Sequence, residues 1–207
     1  MRAYKHVKPE FAEKFLDGTS IKIGTLEHYR NMESDRRDEL EGIAENWIKS
    51  YSDSLGNNPT MHRRLVETNL VSASSSPKLR MTVSNFRFRS IARPVYIFCG
   101  SKAPDEKERL KGYRIFKITA FREFCRCLGE GSSLNLAAPL VRSVSYVPRS
   151  IELTETDVIR ADAFKKGENW SYENEMRGLR RPTDTNSSLP ECEIINCPDV
   201  AQFIREI

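Results

Sequence analysis

Pro94-Val95-Tyr96-Ile97-Phe98-Cys99-Gly100 decides how the fold is read. Five apolar residues run unbroken between a proline and a glycine. A strand covered on both faces needs that pattern, so the run is read as a buried central strand. On its C-terminal side, Pro104–Lys111 reads as a short charged helix and Tyr113–Thr119 as a second strand. Phe121, Phe124, Cys125 and Leu128 then recur at helical spacing, with Gly129 and Gly131 as stops. On its N-terminal side, Met81–Phe88 alternates at period two, and Ser72–Pro77 is a Ser-rich loop or hairpin tip.

The first residues repeat the logic at smaller scale. Tyr4-Lys5-His6 reads as a strand, and Pro9, Phe11, Phe15 and Leu16 as a helix stopped by Gly18. Ile21–Gly24 follows as a strand. Further strands are expected at Val141–Val147, Trp170–Leu179 and Glu193–Ile195. A terminal helix is expected from Pro198, with Val200, Phe203, Ile204 and Ile207 on one stripe. Strands outnumber helices and their order is mixed. The expected class is α+β, a mostly antiparallel sheet core with a few peripheral helices. The organisation expected is a single domain over 1–207, with 43–93 a candidate insertion.

The chain has 207 residues, enough to bury a core, and 39% of them are hydrophobic, which argues against disorder. No run of about 18 apolar residues exists, so no spanning helix is expected. Met1-Arg2-Ala3-Tyr4-Lys5-His6 has no apolar stretch, and five Cys cannot all pair. The expectation is a cytoplasmic chain with reduced thiols. A net charge of +4 permits nucleic-acid contact without requiring it.

Three stretches carry chemistry. In Trp170-Ser171-Tyr172-Glu173-Asn174-Glu175-Met176-Arg177, a strand would put Ser171, Glu173, Glu175 and Arg177 on one face. Two such carboxylates repel, which raises one pKa, and Arg177 offsets this. The face is either a salt-bridged ladder or a catalytic Glu-x-Glu. In Arg36-Arg37-Asp38-Glu39-Leu40-Glu41-Gly42, Asp38 and Glu41 stand three apart, as ligands to a divalent metal or as a solvated loop. Arg80, Arg87, Arg89 and Arg93 interleave with Phe86 and Phe88, giving a nucleic-acid-binding face or the wet back of an aromatic pair. Cys125-x-Cys127 and Cys192-x4-Cys197 lack nearby His and are not a zinc pattern, so no metal site is assigned.

Tyr4-Lys5-His6, Gly18–Arg30, Asp38-Glu39-Leu40-Glu41-Gly42, and Lys165 or Lys166 ahead of Trp170–Arg177, in that order, resemble a family of uncharacterised bacterial and phage proteins. That family pairs an early strand and acidic loop with a late Trp-x-x-Glu-x-Glu-x-Arg, and brings no established activity. More distantly, the layout resembles that of ADP-ribosyltransferases. These use a basic or His residue on a first strand, a Ser, Thr or Tyr on a second, and a Glu-x-Glu on a later one. Lys5 or His6, Thr25 and Glu173-x-Glu175 take those places, with Ile23-Gly24-Thr25 where a Ser-Thr-Ser triplet is usual.

The resemblance implies NAD as cofactor and transfer to a macromolecular acceptor, in phage–host conflict. Glu175 would stabilise the oxocarbenium-like ribose and Glu173 would orient the nucleophile. Lys5 or His6 would hold the pyrophosphate or adenosine ribose. Tyr29 or Tyr172 would stack on nicotinamide, and Thr25 and Arg177 complete the cofactor set. Two alternatives stand beside it. One is a non-enzymatic module binding nucleic acid or a host or phage protein. The other is a metal-dependent nuclease using Asp38, Glu41, Glu173 and Glu175.

Overall fold

The computed structural model describes residues 1–31, 38–39, 41–154, 158, 160–183 and 190–207. The chain opens with β1 (Ala3–Val7), α1 (Pro9–Leu16), β2 (Ile21–Thr25) and α2 (Leu26–Asn31). Pro9 starts α1, and Gly18, at φ +70°, turns the chain out of it. Next come β3 (Ile43–Ser54), α3 (Pro59–Glu67) and β4 (Arg80–Ile91). β5 (Tyr96–Ser101), α4 (Glu106–Leu110), β6 (Arg114–Ile118) and α5 (Phe121–Glu130) follow. Short strands β7 (Leu140–Ser143), β8 (Ser145–Val147), β9 (Ser150–Glu152) and β10 (Lys165–Gly167) lead to β11 (Glu175–Arg180). β12 (Cys192–Ile195) and β13 (Ile204–Glu206) end the chain. This is an α+β architecture with almost wholly antiparallel pairing; β3–β9 is parallel.

The chain divides into two compact units, one of residues 1–41, 93–146 and 163–207, the other of 42–92 and 147–162. The sequence reading has one domain with a candidate insertion at 43–93. The second unit takes in 147–162 as well, because β9 pairs with β3.

In the first unit, eight strands form a sheet with β5 as its pivot. Tyr96, Ile97 and Phe98 are at most 3% exposed, as the apolar run requires. β11 pairs along β5 from Tyr96 to Ser101 and so takes one edge. The other edge is shared: β2 pairs at Tyr96 and Ile97, β1 only at Ser101. β1 and β2 therefore diverge over Phe98–Gly100. In that gap the Lys5 ammonium donates to the Cys99 carbonyl at 2.8 Å. Phe15 of α1 and Phe121 and Phe124 of α5 pack with Phe98 and Phe116 on one sheet face. Gly178 lets α5 approach closely: a Cβ there would lie 2.3 Å from the Cys125 sulfur. In the second unit, Ile48, Leu55, Met61, Leu65 and Leu153 form a separate core.

Two sequence expectations are corrected. Trp170–Glu173 is not strand but lies in a 3-10 helix, Glu168–Glu173, and the strand begins at Glu175. Asn174, at φ 45°, makes the left-handed step between them. The C-terminal helix is a 3-10 turn, Pro198–Phe203, followed by β13. Its apolar side chains still reach the core, where Val200 and Ile204 are at most 1% exposed.

Candidate functional site

β11 alternates as a two-faced strand does. Met176 and Gly178 turn to the aromatic core, so Glu175 and Arg177 turn to the opposite face. Register extends that face across the sheet: Tyr4, Ser101 and Glu175 stand in one row, and Cys99 faces Arg177. The left-handed step at Asn174 swings Glu173 off the strand line and towards β10, where Lys166 projects.

Five charged side chains meet there. Lys166 Nζ lies 2.6 Å from Glu173, 3.4 Å from Glu175 and 3.7 Å from Glu41. Arg177 donates from Nε to Glu175 at 2.7 Å, and from Nη1 to Glu41 at 2.8 Å and to the Ala163 carbonyl at 2.6 Å. The Tyr146 hydroxyl accepts the Glu175 N–H at 2.7 Å. Arg177, Glu41, Lys166 and Glu175 are each no more than 6% exposed. Ions removed from water to this degree cost several kcal/mol each unless paired and hydrogen-bonded. Within this set of five described residues, three carboxylates share two cations, a formal surplus of one negative charge, and Arg30 donates to the Glu41 carbonyl at 2.6 Å.

That surplus divides the two acids of the Glu-x-Glu. Burial pushes the Glu175 carboxyl up, but the Arg177 guanidinium and the Lys166 ammonium outweigh it and hold it at about 2. Burial also pushes Glu173 up; Lys166 opposes this but does not cancel it, and the neighbouring Glu175 adds to the rise. Lys166, against its own desolvation, is held charged by Glu175, Glu41 and Glu173. The Glu173 side chain is 21% exposed, the most open of the five. Beside it, Trp170 and Tyr172 pair at 6.1 Å between ring centroids, with Lys166 Nζ 4.9 Å from the Trp170 ring. Tyr172 is 69% exposed.

Glu173, Glu175 and Arg177 are thus brought together, with Tyr172 at the rim. Tyr29 donates to the Ile97 carbonyl at 3.4 Å and packs near Cys99. Lys5 is not on this face. It shares the opposite face with Ala3 and Val7, which belong to the aromatic core. His6 shares the row face with Tyr4, and its Nε2 accepts the Asp105 N–H at 3.0 Å. The Thr25 hydroxyl accepts the His28 N–H at 3.1 Å, holding the first turn of α2. Glu41 joins the network, and Asp38 is buried one turn away. Arg36, Arg37 and Leu40 of that acidic stretch lie outside the described residues. Among the described residues no group of three His, Cys, Asp or Glu is placed to hold a metal ion. Arg80, Arg87 and Arg89 belong to the second unit and are exposed; Arg93 is exposed on the first.

Lys166 is the member to which the residue pattern alone assigns no role. Its only sequence signal is its place ahead of the Trp-x-x-Glu-x-Glu-x-Arg motif. Tyr146 and Cys99 carry no signal at all; register sets Cys99 across from Arg177, and Tyr146 is placed by its hydrogen bond with the Glu175 N–H. No family profile, curated protein or solved structure matches the chain.

Proposed function

We propose that this network is the carboxylate site of an NAD-dependent ADP-ribosyltransferase-like enzyme acting in the cytoplasm on a macromolecular acceptor, with Glu173 as its reacting group. The observation that carries the reading is the position of Glu173. It is the open member of a buried, net-negative cluster, its pKa is raised, and two aromatic rings stand beside it. Buried acids with pKa values driven apart are the usual mark of acid–base assignments.

In the proposed reaction the bond between nicotinamide and ribose breaks, and nicotinamide leaves neutral with the electron pair. The ribose passes through an oxocarbenium-like state, which the surplus negative charge favours. The acceptor nucleophile bonds to the ribose carbon, and its proton passes to the Glu173 carboxylate. Trp170 and Tyr172 offer a stacking face for the cationic nicotinamide ring. Glu175 is a positioning residue, because both its oxygens are engaged by Arg177 and Lys166. This exchanges the roles that the resemblance implies for the two acids. Lys5 lies on the opposite sheet face, so the pyrophosphate or adenosine ribose is assigned to His6, which shares the face of Tyr4 and whose Nε2 already accepts the Asp105 N–H. Phage–host conflict is the setting the resemblance suggests.

A second reading is favoured by the near-complete burial of Glu41, Glu175 and Arg177: a structural ion-pair core in a non-enzymatic module. Release of labelled nicotinamide from NAD, with cell lysate as acceptor source, separates the two. The wild-type chain should release it, and Glu173→Gln should lower the rate about a hundredfold to a thousandfold with its melting temperature retained. Absence of both NAD binding and nicotinamide release by the wild type overturns the enzymatic reading.

A further inference from the structure

The second unit presents a surface of different chemistry. β3 and β4 pair over eleven registered positions, from Ile43↔Ile91 to Ser54↔Arg80. One side of this ribbon packs Ile48, Phe86 and Phe88 towards Met61 and Leu65. Alternation reverses midway on both strands. Ala44, Asn46 and Ile48 are buried but Tyr51 is the next inward residue; Phe88 and Phe86 are followed inward by Val83. Asn85, at φ 50°, sits at that reversal. The reversal keeps Arg80 and the pair Arg87 and Arg89 on the outward side together, with Lys49 between. Trp47, half-buried, lies in the middle strand of β4–β3–β9, directly across from Arg87. Arg89 pairs through Nε with Glu45 at 2.5 Å, yet its side chain stays 65% exposed.

We infer that this outward face binds single-stranded nucleic acid, with phosphates on Arg80, Arg87 and Arg89 and an unpaired base stacked on Trp47. Guanidinium groups along one face supply backbone contacts. Trp47 has Arg87 across from it on β4 and Glu152 across from it on β9; an aromatic ring in the middle of a sheet with a guanidinium beside it is the layout by which sheet-type RNA-binding modules stack bases. Only an unstacked base reaches such a ring, which selects single strands over duplexes. The inference stands independently of the ribosyl-transfer reading.

The test uses the full chain and a labelled oligothymidylate followed by fluorescence anisotropy across salt concentrations. The wild type should bind, with log affinity falling linearly against log salt. Arg87→Ala/Arg89→Ala should lower the slope by about 1.4, at about 0.7 per lost single-strand phosphate contact. Arg122→Ala on the exposed side of α5 should leave it unchanged. Trp47→Ala should weaken binding roughly fivefold to a hundredfold without altering the slope. Should Trp47→Ala misfold, quenching of Trp47 fluorescence by the oligonucleotide in a Trp170→Phe background decides the same point. No binding at low salt, a slope insensitive to the double variant, binding without quenching, or equal affinity for a duplex overturns the inference.

Discussion

Glu173 and Glu175 stand two residues apart and meet opposite electrostatic surroundings. Glu175 is clamped by a guanidinium and an ammonium; Glu173 has the ammonium alone and more water. The same substitution therefore has different consequences at each. Glu175→Gln leaves Arg177, which is 2% exposed, short of a counter-charge. Breaking one partner of a buried pair costs about 3–5 kcal/mol. Any activity lost by that variant is confounded with unfolding. On an exposed strand face the loss would be at most about 1 kcal/mol, so the burial of Arg177 changes which residue reports on function. Glu173→Gln removes the surplus negative charge instead, and thermal melts should show it at least as stable as wild type at neutral pH. A melting temperature for Glu173→Gln as depressed as that of Glu175→Gln would count against this division of roles.

At the scale of elements, the legible parts are those whose period matches one structure only. β5, β6 and α1 are of this kind, with an unbroken apolar run, alternation, and a proline start. The stretch Trp170–Glu173 alternates aromatic and polar residues at period two, which a strand explains. A 3-10 helix ending in a left-handed residue explains it as well, and hydrophobicity does not encode the left-handed step at Asn174. Pro198–Ile204 has the same ambiguity: apolar spacings of three and four suit a helix, and the edge of β6 instead recruits Ile204 into β13. Lys166 and Glu41 join the site through long-range pairing that no local period records. The close seat of α5 on β11 is likewise invisible until Gly178 is seen beneath Cys125. Gly178→Ala would force backbone or sulfur to shift, and overpacking of this kind costs about 1–3 kcal/mol. Urea unfolding of that variant should show the loss; an unchanged midpoint would mean α5 can lift without penalty.

Over the whole molecule, the charge network makes stability depend on pH in two opposed ways. Glu175 is held at about 2, below its usual 4.5. Its contribution is present in full above the usual value and is lost as pH falls towards 2, because the unfolded chain binds the proton first. The size is on the order of 3 kcal/mol. Glu173 is shifted the other way, above its usual 4.5. There the folded state holds the proton more tightly, so stability falls as pH rises from the usual value through the raised one. Unfolding free energies from urea titrations between pH 2 and 7 should resolve both arms. Glu175→Gln should lie well below wild type at pH 7 and converge with it near pH 2, since a protonated Glu175 and a Gln are alike in charge. Glu173→Gln should match wild type below about pH 4 and exceed it at pH 7, the difference opening as the wild-type carboxyl ionises. Curves that run parallel to wild type over the whole range would mean that neither acid titrates through this network. A Glu173→Gln curve that falls below wild type as pH rises would mean the Lys166 pair stabilises the ionised form. That outcome would remove the basis for treating Glu173 as the acid poised to accept a proton.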